Sequence, residues 1–183
     1  MTPDHLARLL ADDVESKILQ MYELKTASAA KGAAEFVAVI AECSPAITRA
    51  CVGFARMLGV AYQIVDDIHN FSRSPDWTKV TGEDLANGKL TLVIAKAAAL
   101  LDADDSARLQ EILCSPELRR QPATFEEGIE LVFRSGALEV CRETAKTMVN
   151  DAWDRFQPLV RSSGPKIMLH TMCLKLIDLA YEA

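Results

Sequence analysis

The sequence has 183 residues, half of them hydrophobic and a quarter charged, which is ordinary for one globular domain. We therefore expect a single domain over residues 1–183. The formal net charge of −6 argues against general nucleic-acid binding, because an acidic surface repels the phosphate backbone. An anionic ligand would need a metal ion or a local cluster of lysines.

The five cysteines and the apolar runs indicate the compartment. The cysteines are spread along the chain without a CxxC pair, so neither a zinc site nor a disulfide framework is expected. No basic segment followed by an apolar one marks a signal peptide at the start of the sequence. The apolar runs are short and interrupted, which excludes a membrane span. These features predict a cytoplasmic protein.

Helix signals dominate the first third of the chain. Thr2-Pro3-Asp4 combines a hydroxyl cap, a proline in the first turn and an acid that the helix dipole favours. Apolar residues over 6–21 then recur every three or four positions, which is typical of an amphipathic helix. Gly32 predicts an interruption, and Ser44-Pro45 begins a long helix that ends near Phe71.

The rest of the sequence alternates helix patterns with short polar breaks. Residues 71–88 hold serines, glycines, a proline and several charges, and we predict a loop there. Thr124 and Glu127 have the spacing of a capping box. Further helices are predicted over 90–101, 106–113 and 137–160, and from Ser162-Ser163-Gly164-Pro165 onward. Because no period-two strand pattern occurs, the sequence predicts an all-α fold.

Carboxylates and amides cluster near the end of the long helix. Gln63, Asp66, Asp67 and Asn70 differ by three or four positions, so they share one face of a helix. Adjacent carboxylates beside apolar neighbours are costly to desolvate unless a cation lies between them. Oxygen ligands of this kind suit Mg²⁺, which often bridges a carboxylate to a substrate phosphate. Taken alone, such a pair is more often a solvated acidic patch.

The residues over 79–92 decide between these interpretations. The positions that form a pattern there are Lys79, Gly82, Asp84, Leu85, Gly88, Lys89, Thr91 and Leu92. The trans-isoprenyl diphosphate synthases have a second aspartate-rich motif, FQxxDDxxD, followed by a loop GKxxGxDLxxGKxTL, and this sequence resembles both. Tyr62-Gln63 and Asp66-Asp67 fall on the motif, Lys25-Thr26 matches the KT pair, and Gly59 matches a glycine before the motif. The resemblance implies a helical bundle like the C-terminal half of the isoprenoid synthase fold.

The resemblance also implies the metal ligands. Asp66 would be the principal Mg²⁺ ligand of this motif, and Asp67 a second ligand or a support acting through water. Asn70 stands where the family has its third aspartate. An amide oxygen still ligates Mg²⁺, but the lost negative charge should lower the affinity.

The remaining implied roles concern the substrate. Lys25, Lys79 and Lys89 would bind an allylic diphosphate, while Thr26 and Gln63 would present oxygens to the allylic cation. In the family reaction the allylic diphosphate ionises with Mg²⁺ assistance, isopentenyl diphosphate attacks the cation through its double bond, and a proton is lost. Lysines and metal ions stabilise the departing diphosphate without acid–base chemistry.

One part of the family pattern has no counterpart. The first aspartate-rich motif and an arginine pair for isopentenyl diphosphate belong to the N-terminal half of the family. Asp12-Asp13, expected on the helix of Lys25, and Asp104-Asp105, expected in a loop, lack a third aspartate at the required spacing. We therefore expect a second polypeptide, either a partner half or a further copy, to complete the site. The alternatives are a non-catalytic regulatory or interaction subunit, and a structural helical protein with a silent motif.

Overall fold

The computed structural model describes Leu6 and residues 13–72 and 81–181. For residues 180 and 181 it describes the backbone alone. Every regular element in these ranges is helical, and no β-strand occurs among the described residues. The all-α prediction is confirmed. Within the same ranges, no helix combines the length and apolarity needed to cross a membrane.

The first elements form two long helical stretches. Helix α1 (Val14–Tyr22), a π-helical segment (Glu23–Ala27) and α2 (Ser28–Ile40) follow one another directly, and α3 spans Pro45–His69. The predicted interruption at Gly32 is wrong, because α2 continues through it. A helical glycine costs only about 1 kcal/mol relative to alanine, and the alanine-rich sequence around it favours the helix.

Short connections separate the remaining elements. These are α4 (Glu83–Ala86), α5 (Leu92–Leu100), α6 (Ala103–Cys114), α7 (Pro116–Arg119), α8 (Pro122–Arg134), α9 (Ala137–Phe156), a 3₁₀ turn (Gln157–Leu159) and α10 (Gly164–Tyr181). The segment predicted as a loop thus contains the short helix α4. The helix predicted to reach residue 160 ends at Phe156, because Pro158 has no N–H for a further helical hydrogen bond.

The start of α8 differs from the predicted capping box. The helix begins at Pro122 after Gln121, and Thr124 lies inside its first turn. Proline suits the first helical position, since its φ is already helical and its missing N–H would have no partner there. Glu127 does not cap the helix, and its two carboxylate oxygens instead accept hydrogen bonds of 2.9 and 2.8 Å from Arg108.

The two aspartate pairs outside the motif also lie differently from the prediction. Asp104 and Asp105 occupy the first turn of α6 rather than a loop, and the Asp102 side chain caps this helix by accepting from the Asp105 N–H at 2.9 Å. Asp13 precedes α1 with a φ of 48°, so it is not on the helix. Asp12 and the predicted helix start at Thr2-Pro3-Asp4 lie outside the described residues.

The described residues divide into two compact units. The first contains Leu6 and residues 13–18, 66–72 and 81–141, and the second contains residues 19–65 and 142–181. The core of the first unit is α5, which packs on α6 and α8. Leu92, Val93 and Ile94 of α5 are at most 1% exposed, as expected for a helix that is apolar on every side.

The second unit has an aromatic core and a close helix contact. Phe54 stacks on Phe156 with ring centroids 4.6 Å apart, and Trp153 stacks on His170 at 4.3 Å. A Cβ on Gly59 would lie 2.7 Å from the Ala27 Cα, so only glycine permits this approach of α3 to the π-helical segment. Large apolar side chains of α2 and α10 are nevertheless exposed, among them Phe36, Val37, Val39, Ile40, Ile167, Met168 and Met172.

The cysteines are small, at least partly buried residues without disulfides. All five are free, with Cys141 and Cys173 buried and the others half-buried. Burial raises the pKa of the Cys173 thiol to about 11, so this thiol stays protonated and unreactive at neutral pH.

Candidate functional site

The predicted site residues belong to both units, and each group is described by itself. In the first unit, Asp66 and Asp67 lie in the last turn of α3, with Asn70 just beyond it. Asp66 is exposed, whereas Asp67 is only 2% exposed and Asn70 8%. Asp66 is therefore the carboxylate of this motif that a cation from solvent would meet first.

Asn70 holds the loop that follows the motif. Its Oδ1 accepts a hydrogen bond of 2.9 Å from the Asp84 N–H, and its main-chain carbonyl accepts one of 2.7 Å from the Gly82 N–H. Gly82 has a φ of 78°, a left-handed conformation that glycine adopts without strain. The amide predicted as a metal ligand thus fixes the beginning of α4 through hydrogen bonds.

Lys89 forms an ion pair with Asp84. The Lys89 Nζ donates to Asp84 Oδ1 at 2.7 Å, and the lysine side chain remains 57% exposed while that of Asp84 is 12% exposed. The hydrogen bond to Asp84 raises the pKa of Lys89, and the charges of Glu83 and Asp66 act in the same direction. Lys89 is therefore held in place by Asp84 and still accessible to a ligand from solvent.

Two residues of the loop pattern have structural roles that the sequence alone did not reveal. Asp84 is the partner of Lys89, and a spacing of five residues across a helix end gave no local signal for this pair. Thr91 caps α5, since its Oγ1 accepts from the Ile94 N–H at 3.5 Å. A threonine immediately before an apolar helical run was a usable signal for the cap. Lys79 lies outside the described residues.

The second unit contains Lys25, Thr26 and Gln63. Lys25 is exposed and Thr26 half-buried, and both lie in the π-helical segment. The Thr26 hydroxyl donates to Gln63 Oε1 at 2.7 Å, which brings together the two residues predicted to face an allylic cation. Short π-helical segments inside longer helices are frequent at functional sites.

A large apolar cavity adjoins this pair in the second unit. Its volume is about 960 Å³, and Thr26, Gly59 and Tyr62 line it together with residues of α2, α3 and α10. The small residues of its wall are Ala29, Ala30, Ala33, Ala34, Ala38, Ala41 and Ala55. Because alanine side chains leave space next to the backbone, these residues contribute to the size of the cavity.

The predicted metal ligands can be compared with what a metal ion requires. No group of three or more histidines, cysteines, aspartates or glutamates among them could hold a metal ion. Asp66 and Asp67 are hard oxygen donors, and Mg²⁺ typically uses one or two carboxylates together with substrate phosphates and water. The donor chemistry therefore fits Mg²⁺ bound jointly with a phosphate ligand.

Comparison with protein families identifies the class. A family model described as polyprenyl synthetase matches residues 5–131, and this chain belongs to that family. Among curated relatives, solanesyl diphosphate synthase 1 of Arabidopsis thaliana is 33% identical over 151 residues, covering 82% of this chain and 35% of the relative. A short chain isoprenyl diphosphate synthase of Methanothermobacter thermautotrophicus is 32% identical over 154 residues, covering 84% of this chain and 46% of the relative.

Solved structures give the same family. A decaprenyl diphosphate synthase from Rhodobacter capsulatus superposes with a TM-score of 0.78 at 25% identity, covering 90% of this chain and 50% of that one. A polyprenyl synthase from Roseobacter denitrificans gives 0.73 at 29% identity, covering 93% and 52%. The resemblance inferred from the motifs is confirmed. The chain spans between about a third and a half of the length of these relatives and structures.

Proposed function

We propose that this chain provides the second aspartate-rich motif and part of the diphosphate site of a trans-isoprenyl diphosphate synthase. Its ligands are an allylic diphosphate and Mg²⁺. The observation that carries the proposal is the exposed carboxylate of Asp66 together with the exposed Lys89 ammonium that Asp84 holds in the following loop, in a member of this family. A magnesium diphosphate needs both a carboxylate for the metal and a cation for the phosphate oxygens.

Different residues of the chain have different roles in this reaction. Lys89, with Lys25 and Lys79, binds the diphosphate oxygens as the carbon–oxygen bond of the allylic substrate breaks. Thr26 and Gln63, held together by their hydrogen bond, present oxygen atoms to the allylic cation. Mg²⁺, when bound, supplies charge that stabilises the departing diphosphate. The double bond of isopentenyl diphosphate then forms the new carbon–carbon bond, and a proton is lost.

We further propose that a second polypeptide supplies the first aspartate-rich motif. Metal-assisted ionisation needs carboxylates on two sides of the leaving group, and the described residues contain one such wall. The exposed apolar side chains of α2, such as Phe36, Val37 and Ile40, support a partner, because large exposed apolar patches commonly mark interfaces. The same surface also fits the alternative of a non-catalytic interaction subunit, which would not depend on Asp66.

Activity assays of the chain alone and with a partner polypeptide distinguish a catalytic subunit from a non-catalytic interaction subunit. The purified chain with Mg²⁺, isopentenyl diphosphate and allylic diphosphates should give no product, and steady product above a no-enzyme control would contradict the need for a partner. Co-expression with a polypeptide containing a DDxxD motif should restore product and form a larger species on size measurement. Asp66→Ala should abolish this activity, whereas Asp178→Ala, an exposed aspartate on α10, should not. An active complex that tolerates Asp66→Ala would favour the regulatory alternative.

A further inference from the structure

Arg119, outside both sequence motifs, joins the ends of two helices in the first unit. Its Nε donates to the Ala86 carbonyl at 3.0 Å, and its Nη1 donates to the Leu113 carbonyl. Ala86 is the last residue of α4 and Leu113 lies in the last turn of α6. Carbonyls at the C-terminal end of a helix have no partner within the helix, so the guanidinium satisfies groups that would otherwise need water.

The same guanidinium packs directly on the turn that precedes Lys89. A Cβ on Gly88 would lie 2.8 Å from the central carbon of the Arg119 guanidinium, and Gly88 has a φ of 65°. The turn closes with hydrogen bonds of 2.9 Å from the Gly88 N–H to Leu85 and from the Lys89 N–H to Asp84. The left-handed backbone conformation therefore favours glycine at position 88, and any larger residue there would also displace the Arg119 guanidinium.

The helix that Arg119 holds also carries the partner of Lys89. Asp84 lies on α4, its N–H is held by Asn70, and its carboxylate receives the Lys89 ammonium. Asn70 thus fixes the beginning of α4 and Arg119 its end. Displacement of that end would move both the turn before Lys89 and the carboxylate that orients it.

We propose that Arg119 is a positioning residue for Lys89. It holds α4 and the following turn so that the Lys89 ammonium stays on Asp84 and accessible to a diphosphate. The assignment of diphosphate as the ligand rests on the proposed function, whereas the effect of Arg119 on Lys89 does not. Arg119 itself has no direct role toward the substrate in this proposal.

The first experiment observes Lys89 without any ligand. The side-chain ammonium signal of Lys89 in NMR, assigned by its loss in Lys89→Ala, should move toward the position of solvent-exposed lysines in Arg119→Ala. Arg120→Ala provides a matched control, because it removes the same charge from the adjacent, exposed residue. An unchanged Lys89 signal in folded Arg119→Ala would overturn the proposal. If Arg119→Ala fails to fold, Arg119→Lys, whose ammonium cannot span both carbonyls with a planar fork, should show the same shift.

The second experiment measures how the two residues depend on each other. Calorimetric titration with inorganic diphosphate and Mg²⁺ should give about tenfold weaker binding for Lys89→Ala, as expected on loss of a charged hydrogen bond. Arg119→Ala should weaken binding by about threefold to fivefold, and should have no further effect in the Lys89→Ala background. An equal effect of Arg119→Ala with and without Lys89 would show general destabilisation and overturn the proposal. Absence of diphosphate binding by the parent chain would overturn the proposed function, while the NMR signal would still decide the role of Arg119.

Discussion

The loop around Lys89 and the cavity beside Thr26 are built in different ways. In the loop, Asn70 and Asp84 accept hydrogen bonds and Arg119 donates them, which fixes the polar groups, and the left-handed turns are at glycines. The cavity wall consists mainly of alanines and other apolar residues, and neighbouring side chains of α2 such as Phe36 remain exposed. The polar groups of the loop are held by directional bonds within one unit. An apolar wall encloses a ligand only when another surface covers it.

The largest expected effect on the polar loop comes from removing the exposed carboxylate of Asp66. Asp66→Ala removes the charge that a metal ion would meet first, so Mg²⁺-dependent binding of inorganic diphosphate should disappear. Titration calorimetry with and without Mg²⁺ measures this, with Asp178→Ala as the control. If the Asp66→Ala variant binds diphosphate like the parent, the motif does not bind the metal ion, and the alternative of a structural helical protein with a silent motif is favoured.

Two glycine substitutions on α3 test whether the close approach of Gly59 to Ala27 at the cavity wall is required, with Gly53 as the control. Gly59→Ala places a methyl group 2.7 Å from the Ala27 Cα, so it should lower the free energy of unfolding by about 1–3 kcal/mol. Gly53→Ala meets nothing within 4 Å and should be neutral or stabilise the helix by up to about 1 kcal/mol. Urea unfolding of both variants gives the comparison. Equal stabilities would show that the close approach at Gly59 is not required.

Two substitutions of Asn70 distinguish its hydrogen bond to the loop from its predicted role as a metal ligand. Asn70→Asp keeps an oxygen for the Asp84 N–H and restores the carboxylate of the family motif, so Mg²⁺ should bind more tightly. Asn70→Ala loses the hydrogen bond, and diphosphate binding should weaken by about tenfold or less, in line with one buried hydrogen bond. Parallel titrations with Mg²⁺ alone and with Mg²⁺ and diphosphate would show both effects. Weaker Mg²⁺ binding by Asn70→Asp would contradict a ligand role at this position.

The smallest expected effect concerns the ion pairs of the second unit. Hydrogen bonds from Lys31 at 3.0 Å and Arg56 at 2.9 Å lower the pKa of Glu23. A carboxyl group whose pKa is lowered on folding stabilises the fold above its unfolded pKa, and this contribution is lost as the pH falls through the folded pKa. Glu23→Gln should therefore be less stable than the parent at neutral pH, by less than about 1 kcal/mol for such exposed pairs.

The pH dependence of that difference is the measurement. Urea unfolding at neutral pH and again at a pH below the lowered, folded-state pKa of Glu23 should show the two proteins converging at the acidic end, where Glu23 is protonated in both states. A difference that persists unchanged in acid would mean that packing, rather than charge, accounts for the effect of the substitution.

Several features followed from the sequence for local reasons. Apolar spacing and caps predicted the all-α fold, and Ser44-Pro45 marked the beginning of α3. The register of Asp66, Asp67, Gly88 and Lys89 in the motif and loop is sufficient to indicate the family. The errors were also local. Gly32 and the spacing of Thr124 and Glu127 suggested helix boundaries that packing and Pro122 overrode.

The sequence by itself determined the helical pattern, the family and the chemical types of the candidate ligands, because these depend on spacing along one chain segment. The tertiary structure alone decided the bonds of Arg119 to two helix ends and the approach of Gly59 to Ala27. It also decided that Lys89 is held by Asp84. Each of these contacts depends on how the backbone folds back on itself, which periodicity within a helix does not specify.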